Sequence, residues 1–377
     1  MASPTMEVMT REELEKLSDD ELRELLKKRK TQVSKADVMQ LGLKVTLNSA
    51  YGMIGNQYSR YYDLRIAEGI TVSGQLSIRW IERKLDEYLN KILGTENQKF
   101  AVAGDTDSIY ISLAPLVDKF FPDETKERKV ALLDKICEEK VQPIIDAAYT
   151  ELANYMNAFQ QKMFMAREVI ADRGVWRAKK NYILNVYNSE GVQYEEPKLK
   201  IMGIESTRSS TPEICREAIK DTLKVMMTDT EDAAQKTIAD FKKRFLSSPV
   251  EDICSPRGVN DLDKWFVPDN EEFKKGTPFH VKAALTYNRW IRKMGLETRY
   301  RLINSGDKIK FTYLLKDNPT GNNAIAFPDI LPPEFGLDNY VHRVLQYEKS
   351  YLDPMKSIFD VIGWNVVKKN TLDEWFT

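Results

Sequence analysis

The chain is organised around one stretch, Val102-Ala103-Gly104-Asp105-Thr106-Asp107-Ser108-Ile109-Tyr110-Ile111. Apolar residues alternate with other residues on both sides of its centre, which is the period of two that β-strands show. Gly104 can adopt the backbone angles that a sharp bend needs, so we expect the bend there. The stretch therefore predicts two short strands joined by a tight turn that carries Asp105 and Asp107, one residue apart.

Two carboxylates in one turn suggest a metal site. They repel each other unless a cation lies beside them, and Mg²⁺ is usually held by one or two carboxylates together with substrate phosphates. The alternative is an ordinary polar hairpin turn, because Asp and Gly are common turn residues. The flanking strands and a second motif, at Lys44, favour the metal site.

The composition excludes several classes of protein. The 377 residues are 42% hydrophobic and 30% charged, but the formal net charge is −1, so a nucleic-acid surface would have to come from local clusters of cations. Three dispersed cysteines indicate a reducing compartment, without a disulfide framework or a cysteine-based zinc site. Neither a signal peptide nor a long apolar run is evident, which predicts a soluble, cytoplasmic protein without a membrane partner.

Helix signals run through residues 38–50 and place three chemically distinct side chains on one helical face. Lys44, Asn48 and Tyr51 are spaced four and three residues apart, so they are neighbours on the helix surface. A cation, an amide and a flat ring suit the phosphate, sugar and base of a nucleotide. An ordinary polar stripe is the alternative.

The N-terminal region carries two capping boxes, at Thr10 with Glu13 and at Ser18 with Glu21. Acidic residues come first and basic residues later, which suits a helix dipole. We interpret this region as a solvated pair of helices, although the basic end at Lys27–Lys30 could alternatively face phosphates.

Basic residues also accompany the later strands. Alternation predicts one strand over Arg177–Tyr187, and the short segment that follows it contains Lys198 and Lys200. Cations with an interleaved tyrosine can follow a nucleic-acid backbone by charge and pack on its sugars. An exposed basic strand without a ligand is the alternative.

From about residue 206 the chain becomes rich in helices, with Thr211 as the expected N-cap and Pro212 as the first helical residue. This region contains the densest basic cluster: eight cations against two anions between Val281 and Lys310, with Lys282 and Arg289 among them. We interpret the cluster as a surface for the DNA backbone, with a solubilising patch as the alternative.

Taken in order, these motifs resemble the C-terminal part of a family B DNA polymerase of the T-even phage replicative type. The matching segments are Lys44-Val45-Thr46-Leu47-Asn48-Ser49-Ala50-Tyr51-Gly52 (fingers), Arg60-Tyr61-Tyr62-Asp63-Leu64-Arg65, Gly104-Asp105-Thr106-Asp107-Ser108 (palm), Ala178-Lys179-Lys180-Asn181-Tyr182, Lys198-Leu199-Lys200-Ile201-Met202-Gly203, Pro278-Phe279-His280 and Leu285-Thr286-Tyr287-Asn288-Arg289. The resemblance implies an α+β fold, with an antiparallel-sheet palm, a remnant of helical fingers and a helix-rich thumb. We expect the fingers over residues 1–57, the palm over 58–205 and the thumb over 206–377.

The resemblance also implies how an incoming nucleotide would be bound. Lys44 would contact its triphosphate, and Asn48 would help to position that contact. Tyr51 would pack at the minor-groove side of the nascent base pair, and Gly52 would leave room for it.

For catalysis, the resemblance implies that Asp107 ligates two catalytic Mg²⁺ ions, with Asp105 beside it as a supporting acid. Lys179, Lys180 and Tyr182 would hold the backbone and minor groove of the primer–template DNA.

Three departures from the family's pattern bear on these roles. Ala103 stands where the family usually has a tyrosine, and Asn181 replaces an arginine, so one contact to the primer terminus and one to the DNA are in doubt. The early palm motif with the other metal-binding aspartate, the exonuclease and the first fingers helix do not precede residue 38. Two-metal phosphoryl transfer needs ligands on both sides of the ion pair. We therefore expect the catalytic C-terminal subunit of a split DNA polymerase, completed by an N-terminal polypeptide.

A second hypothesis is a DNA- and clamp-binding module without catalysis. Intact motifs at both Lys44 and Asp107 favour the catalytic subunit over a decayed fragment.

The chain ends in Thr371-Leu372-Asp373-Glu374-Trp375-Phe376-Thr377. In one helical turn, Leu372, Trp375 and Phe376 would share an apolar face, and aromatic anchors of this kind are typical of interfaces. Replicative phage polymerases of this type end in a similar peptide that binds the sliding clamp. The alternative is a tail that folds back on the thumb.

Overall fold

The computed structural model describes residues 9–266 and 273–368. The fold is α+β, as predicted: helices predominate, and the strands form three small sheets. The chain divides into two compact units, one formed by the residues up to Arg83 together with Thr106–Ser108, the other by the remainder. This division does not coincide with the predicted domain boundaries after residues 57 and 205, which stay predictions.

The first unit is helical. Helix α1 spans Arg11–Leu14, α2 spans Asp19–Gly55, and α3 (Leu64–Leu93) begins here and continues into the second unit. In α2 no residue is buried over 37 residues. Apolar side chains therefore stand in solvent along α2: Leu26, Val33, Val38, Met39, Leu41, Leu43, Val45, Leu47 and Met53.

Both predicted capping boxes are confirmed. The Glu21 carboxylate accepts from the Ser18 backbone N–H at 2.9 Å, and the Ser18 hydroxyl accepts from the Glu21 N–H at 3.5 Å. Thr10 and Glu13 make the same reciprocal pair. The bond from the Ser18 N–H lowers the pKa of Glu21. These bonds satisfy N–H groups that have no partner inside the helix.

After α3 the chain forms the hairpin and then a helical layer. The elements are β1 (Ala101–Asp105), β2 (Ser108–Ile111), α4 (Ala114–Phe120), α5 (Lys126–Ile136) and α6 (Gln142–Tyr155). A π-helical turn at Cys137–Val141 joins α5 to α6, whose second residue is Pro143. Proline has no N–H for the regular helical ladder, so the widened turn lies where that ladder is interrupted.

Three antiparallel strands form the sheet of the predicted palm, which we call the palm sheet: β3 (Val169–Ala178), β4 (Asn181–Ser189) and β5 (Val192–Met202). The prediction of one continuous strand over Arg177–Tyr187 is wrong. The chain reverses at Lys179 and Lys180, where Lys180 has φ +60°, and this turn separates β3 from β4.

The C-terminal lobe comprises the described residues from 206 onward. Its elements are α7 (Glu213–Thr228), α8 (Glu231–Ser247), α9 (Val250–Ile253), β6 (Ser255–Gly258), α10 (Leu262–Trp265), α11 (Phe279–Lys293), β7 (Lys308–Tyr313), β8 (Ala324–Phe327), α12 (Arg343–Tyr347) and α13 (Asp353–Ile362). A second π-helical turn, Glu348–Leu352, joins α12 to α13, whose second residue is Pro354. The N-cap of α7 is Pro212, not Thr211 as predicted.

The lobe is built around a large apolar core to which the palm sheet contributes. Strands β6, β7 and β8 form an antiparallel sheet that the sequence did not predict, and α11 packs on it. Ile183 of β4 and Ile204, which follows β5, are 1% and 0% exposed and belong to the same cluster of buried residues as α7, α8 and α11. Palm sheet and lobe therefore share one core.

Candidate catalytic hairpin and DNA-binding surface

The carboxylate turn forms as predicted, although its bend lies elsewhere. Gly104 is part of β1, and Thr106 is the residue with positive φ, at +55°. A β-branched residue rarely adopts this conformation, so the turn stores local strain. The side chain of Asp105 is 26% exposed, whereas Asp107 is exposed at the tip.

Strand β1 is anchored at its start by a buried carboxylate. Asp86 of α3 is 6% exposed and accepts from the Phe100 N–H at 2.9 Å and from Lys99 Nζ at 3.0 Å. Phe100 is itself 1% exposed and packs against Leu89. These contacts fix where the hairpin starts, and hence where its carboxylates lie.

The turn between β3 and β4, which consists of Lys179 and Lys180, lies close to this hairpin; we call it the two-lysine turn. Lys180 Nζ lies 3.6 Å from Asp105 Oδ1, although 75 positions separate the residues along the chain (180 minus 105). Lys180 is 64% exposed, so the pair contributes little stability. Its consequence is geometric, because it places a cation beside the predicted metal-binding carboxylate of Asp105.

Gly203 and Asn181 pack against the two-lysine turn and fix its backbone. A Cβ on Gly203, where φ is +69°, would lie 2.2 Å from the carbonyl oxygen of Lys180. Asn181 is 7% exposed, and its Nδ2 donates to the Gly203 carbonyl at 3.0 Å. The asparagine that departs from the family's pattern is therefore a buried support of the turn.

Tyr182 is buried, and its predicted role in holding the backbone and minor groove of primer–template DNA stays a prediction. It is 6% exposed, and its hydroxyl accepts from the Tyr110 hydroxyl at 2.7 Å. The ring of Trp176 lies 5.5 Å from that of Tyr110 and 6.3 Å from that of Tyr182. This aromatic group ties β2, which leads away from the carboxylates, to the palm sheet.

The hairpin carboxylates fit Mg²⁺ in kind but do not complete a coordination shell. Carboxylate oxygens are the hard donors that Mg²⁺ takes, and it commonly keeps waters and substrate phosphates as further ligands. Among residues 9–266 and 273–368, no three His, Cys, Asp or Glu side chains lie together as a metal-binding group.

On α2, the predicted nucleotide-binding residues are accessible. Lys44, Asn48 and Tyr51 are exposed, and at 100° per residue they fall within a 60° sector of the helix. Gly52 lies inside α2, and a Cβ there would meet nothing within 4 Å. This face thus presents a cation, an amide and a ring to solvent.

The two lysines of β5 differ in their surroundings. Lys200 is 27% exposed, and its Nζ lies 2.5 Å from Glu168 Oε1, so it is neutralised locally. Lys198 is exposed, with its Nζ 4.0 Å from the ring centroid of Tyr194. The arrangement favours Lys198 over Lys200 as a contact for an anion.

In the lobe, Lys282 and Arg289 of α11 converge on one aromatic ring that the sequence did not single out. Their cationic groups lie 5.8 and 5.4 Å from the ring centroid of Phe273. Nine and 16 positions separate them from it along the chain, so no local pattern indicates the contact. A ring between two cations orients both.

The rest of the predicted basic cluster is partly engaged elsewhere. Arg299 pairs with Glu334, and Arg301 lies 3.6 Å from Asp307. Lys310 donates to the Glu251 carbonyl at 3.1 Å. The cluster is therefore less uniformly available to DNA than its sequence suggests. The predicted clamp-binding residues Leu372, Trp375 and Phe376 lie outside the described residues.

Comparison with known proteins agrees with the resemblance. Residues 14–118 match the model of DNA polymerase family B. The chain is similar to the DNA-directed DNA polymerases of Enterobacteria phage T4 (35% identity over 378 residues) and Escherichia phage RB69 (36% over 383). Each alignment covers 97% of this chain. A DNA polymerase 1 of Aeropyrum pernix is 25% identical over 258 residues, 67% of this chain and 22% of that protein.

The chain spans about two fifths of the phage relatives: 41% of the T4 protein and 42% of the RB69 protein. No helix in the described part of the chain is long and apolar enough to cross a membrane. Two alignments over 97% of this chain, at 35% and 36% identity, together with the family match, show that this chain belongs to family B of the DNA polymerases and is of the T4 type.

Proposed function

We propose that this chain is the C-terminal catalytic part of a template-directed DNA polymerase. The proposal rests on one observation: Lys180 Nζ lies 3.6 Å from Asp105 Oδ1. This contact joins a cation suited to the primer backbone to a carboxylate suited to Mg²⁺. Metal ions, when bound, would neutralise charge on the reacting phosphates.

In this proposal each described residue has a positioning or electrostatic task. Lys44 and Asn48 hold the triphosphate, and Tyr51 packs on the new base pair. Asp107, exposed at the tip of the hairpin, is the main metal ligand, with Asp105 beside it. Such a site works by holding the reacting groups in place and by stabilising their charge.

Lys179 and Lys180 hold the backbone of the primer–template DNA, with Lys198 as a further contact. Lys282 and Arg289 hold the DNA further along. Tyr182 supports this surface from beneath.

The proposal assigns the remaining metal-binding carboxylate to an N-terminal polypeptide, which would also carry the exonuclease. Two features support a partner segment. Apolar side chains of α2, such as Leu43 and Leu47 at 63% and 72% exposure, stand uncovered in the described structure. The β1–β2 sheet has only two strands, an arrangement that is marginally stable alone. A sliding clamp, bound through Leu372, Trp375 and Phe376, is the second proposed partner.

The experiment compares Asp107→Asn with Asp123→Asn, an exposed aspartate that follows α4 along the chain. We expect wild-type chain, mixed with its N-terminal polypeptide, to extend a primer when Mg²⁺ is present. Asp107→Asn should lower the extension rate by orders of magnitude, with primer–template affinity nearly unchanged, and Asp123→Asn should match wild type. Extension by the Asp107 variant within a few-fold of wild type would instead leave a DNA- and clamp-binding module.

A further inference from the structure

Arg177, near the end of β3, lies where the palm sheet meets the C-terminal lobe. Its Nη1 donates to Ser357 Oγ of α13 at 2.7 Å and lies 3.4 Å from Glu205 Oε2. The side chains of Arg177 and Glu205 are 20% and 19% exposed, so water screens their attraction only in part. We call Arg177, Glu205 and Ser357 the Arg177 network.

The network is also connected to the turn that carries Lys180. Arg177 precedes that turn by two residues in the same hairpin. Arg208 lies 3.5 Å from Glu205, and its Nη2 donates to the Gly203 carbonyl at 3.0 Å. Because Gly203 contacts the Lys180 carbonyl from below, one set of polar groups fixes both the turn and α13.

The apolar core of the lobe is made by residues outside this network. This core contains Ile183 and Ile204 from the palm side, and Met355, Ile358 and Phe359 of α13 are each fully buried in it. Helix α13 also packs along β3. Removing the Ser357 hydroxyl therefore leaves the apolar contacts in place and removes only the polar link.

We propose that Arg177 is a positioning residue that couples α13 to the Lys179–Lys180 turn and so sets how long primer–template DNA stays bound. The part that concerns DNA rests on the proposed function; the coupling itself does not. Without the link, α13 and the turn are held together only by the apolar contacts of α13, so their positions are coupled less tightly and Lys180 leaves Asp105 more often. Loss of a shielded hydrogen-bonded contact acts mainly on dissociation, whereas association follows the overall charge, which Ser357→Ala leaves unchanged.

The test uses Ser357→Ala and Arg177→Lys in the full chain, with Ser247→Ala as the matched control. Ser247 bonds only its own helix, α8, in the described contacts. Amide hydrogen exchange without DNA reports the coupling. Release of labelled primer–template into excess unlabelled DNA reports retention.

We expect Ser357→Ala to speed exchange in residues 353–362 and 179–183 but not in α7 or α8. We also expect about threefold to tenfold faster DNA release, the range that one hydrogen bond supports, at an unchanged association rate. Arg177→Lys, which keeps the charge but loses the planar set of guanidinium donors, should be intermediate. Ser247→Ala should match wild type in both measurements.

Two results would overturn the coupling: unchanged exchange in Ser357→Ala, or faster exchange spread over the whole lobe, which would show a purely structural contact. If exchange changes as expected but DNA release does not, the retention role fails. If wild-type chain binds no primer–template, the retention role fails together with the proposed function, while hydrogen exchange still decides the coupling.

Discussion

Replacing Gly203 by alanine should destabilise the chain through contact with the two-lysine turn. The Cβ would lie 2.2 Å from the Lys180 carbonyl oxygen, over 1 Å inside ordinary contact. The left-handed backbone at φ +69° costs an alanine about 1–2 kcal/mol. Relieving the overlap by moving backbone costs about 1–3 kcal/mol more. We therefore expect Gly203→Ala to lower the free energy of unfolding by about 2–5 kcal/mol.

Gly191→Ala separates the two terms. Gly191 has φ +86° in the β4–β5 turn, and a Cβ there meets nothing within 4 Å. Gly191→Ala should lower the free energy of unfolding only by the cost of a left-handed backbone for alanine, about 1–2 kcal/mol. Urea unfolding of both variants, followed by circular dichroism, measures the difference. If both lose the same stability, the close approach of Gly203 to Lys180 is not a feature of the folded protein.

The remaining predictions concern DNA binding, the clamp and pH. Lys282→Ala and Arg289→Ala should each reduce the steepness of the plot of log primer–template affinity against log salt concentration by about 0.9, measured by fluorescence anisotropy. An unchanged slope would instead support the alternative that the cluster is a solubilising patch. Deleting residues 371–377 should leave short extension intact but abolish stimulation by the cognate clamp on long templates; equal product lengths would refute this. Burial raises the pKa of Cys215 and of Cys254 to about 12. In the unfolded chain the thiol pKa is about 8.5, so the unfolded chain loses these protons at a lower pH than the folded chain does. The free energy of unfolding should therefore fall by about 1.4 kcal/mol per pH unit for each thiol as pH rises from about 8.5 to about 12. Chemical unfolding at pH 7.5 and 9.5 tests the sign, and greater stability at pH 9.5 would contradict it.

Local signals predicted local structure well. The capping boxes at Ser18 and Thr10 form as expected because all their partners lie within three residues. The carboxylate hairpin forms for the same reason, since one short stretch contains both strands and the turn. Its bend was misplaced, because Thr106 adopts a conformation that its own side chain disfavours.

The features that sequence reasoning missed depend on distant partners. Nothing in a Lys-Lys pair indicates a turn, and the glycine that accommodates it, Gly203, lies 23 positions beyond Lys180. Tyr182 is buried, and its hydroxyl bonds with Tyr110, 72 positions away, a partner that no local pattern indicates. Strand β6 contains Pro256 and Gly258, and all four residues of β8 are apolar and buried, so neither strand shows an alternation of apolar and polar residues. The pairing of Lys180 with Asp105 is likewise visible only in three dimensions.

The π-helical turn at Glu348–Leu352 acts as a one-residue spacer. A π turn contains one residue more than an α turn. The residues of α13 that follow it are therefore rotated about the helix axis by about 100° relative to a regular helix. Deleting one residue there would let α12 and α13 join in a single α-helical ladder up to Pro354. It would also rotate Ser357 away from Arg177 and turn the buried side of α13 out of the core. One extra residue in this turn thus determines which side of α13 faces the core. Insertions or deletions in the turn preserve that orientation only when they add or remove whole helical turns.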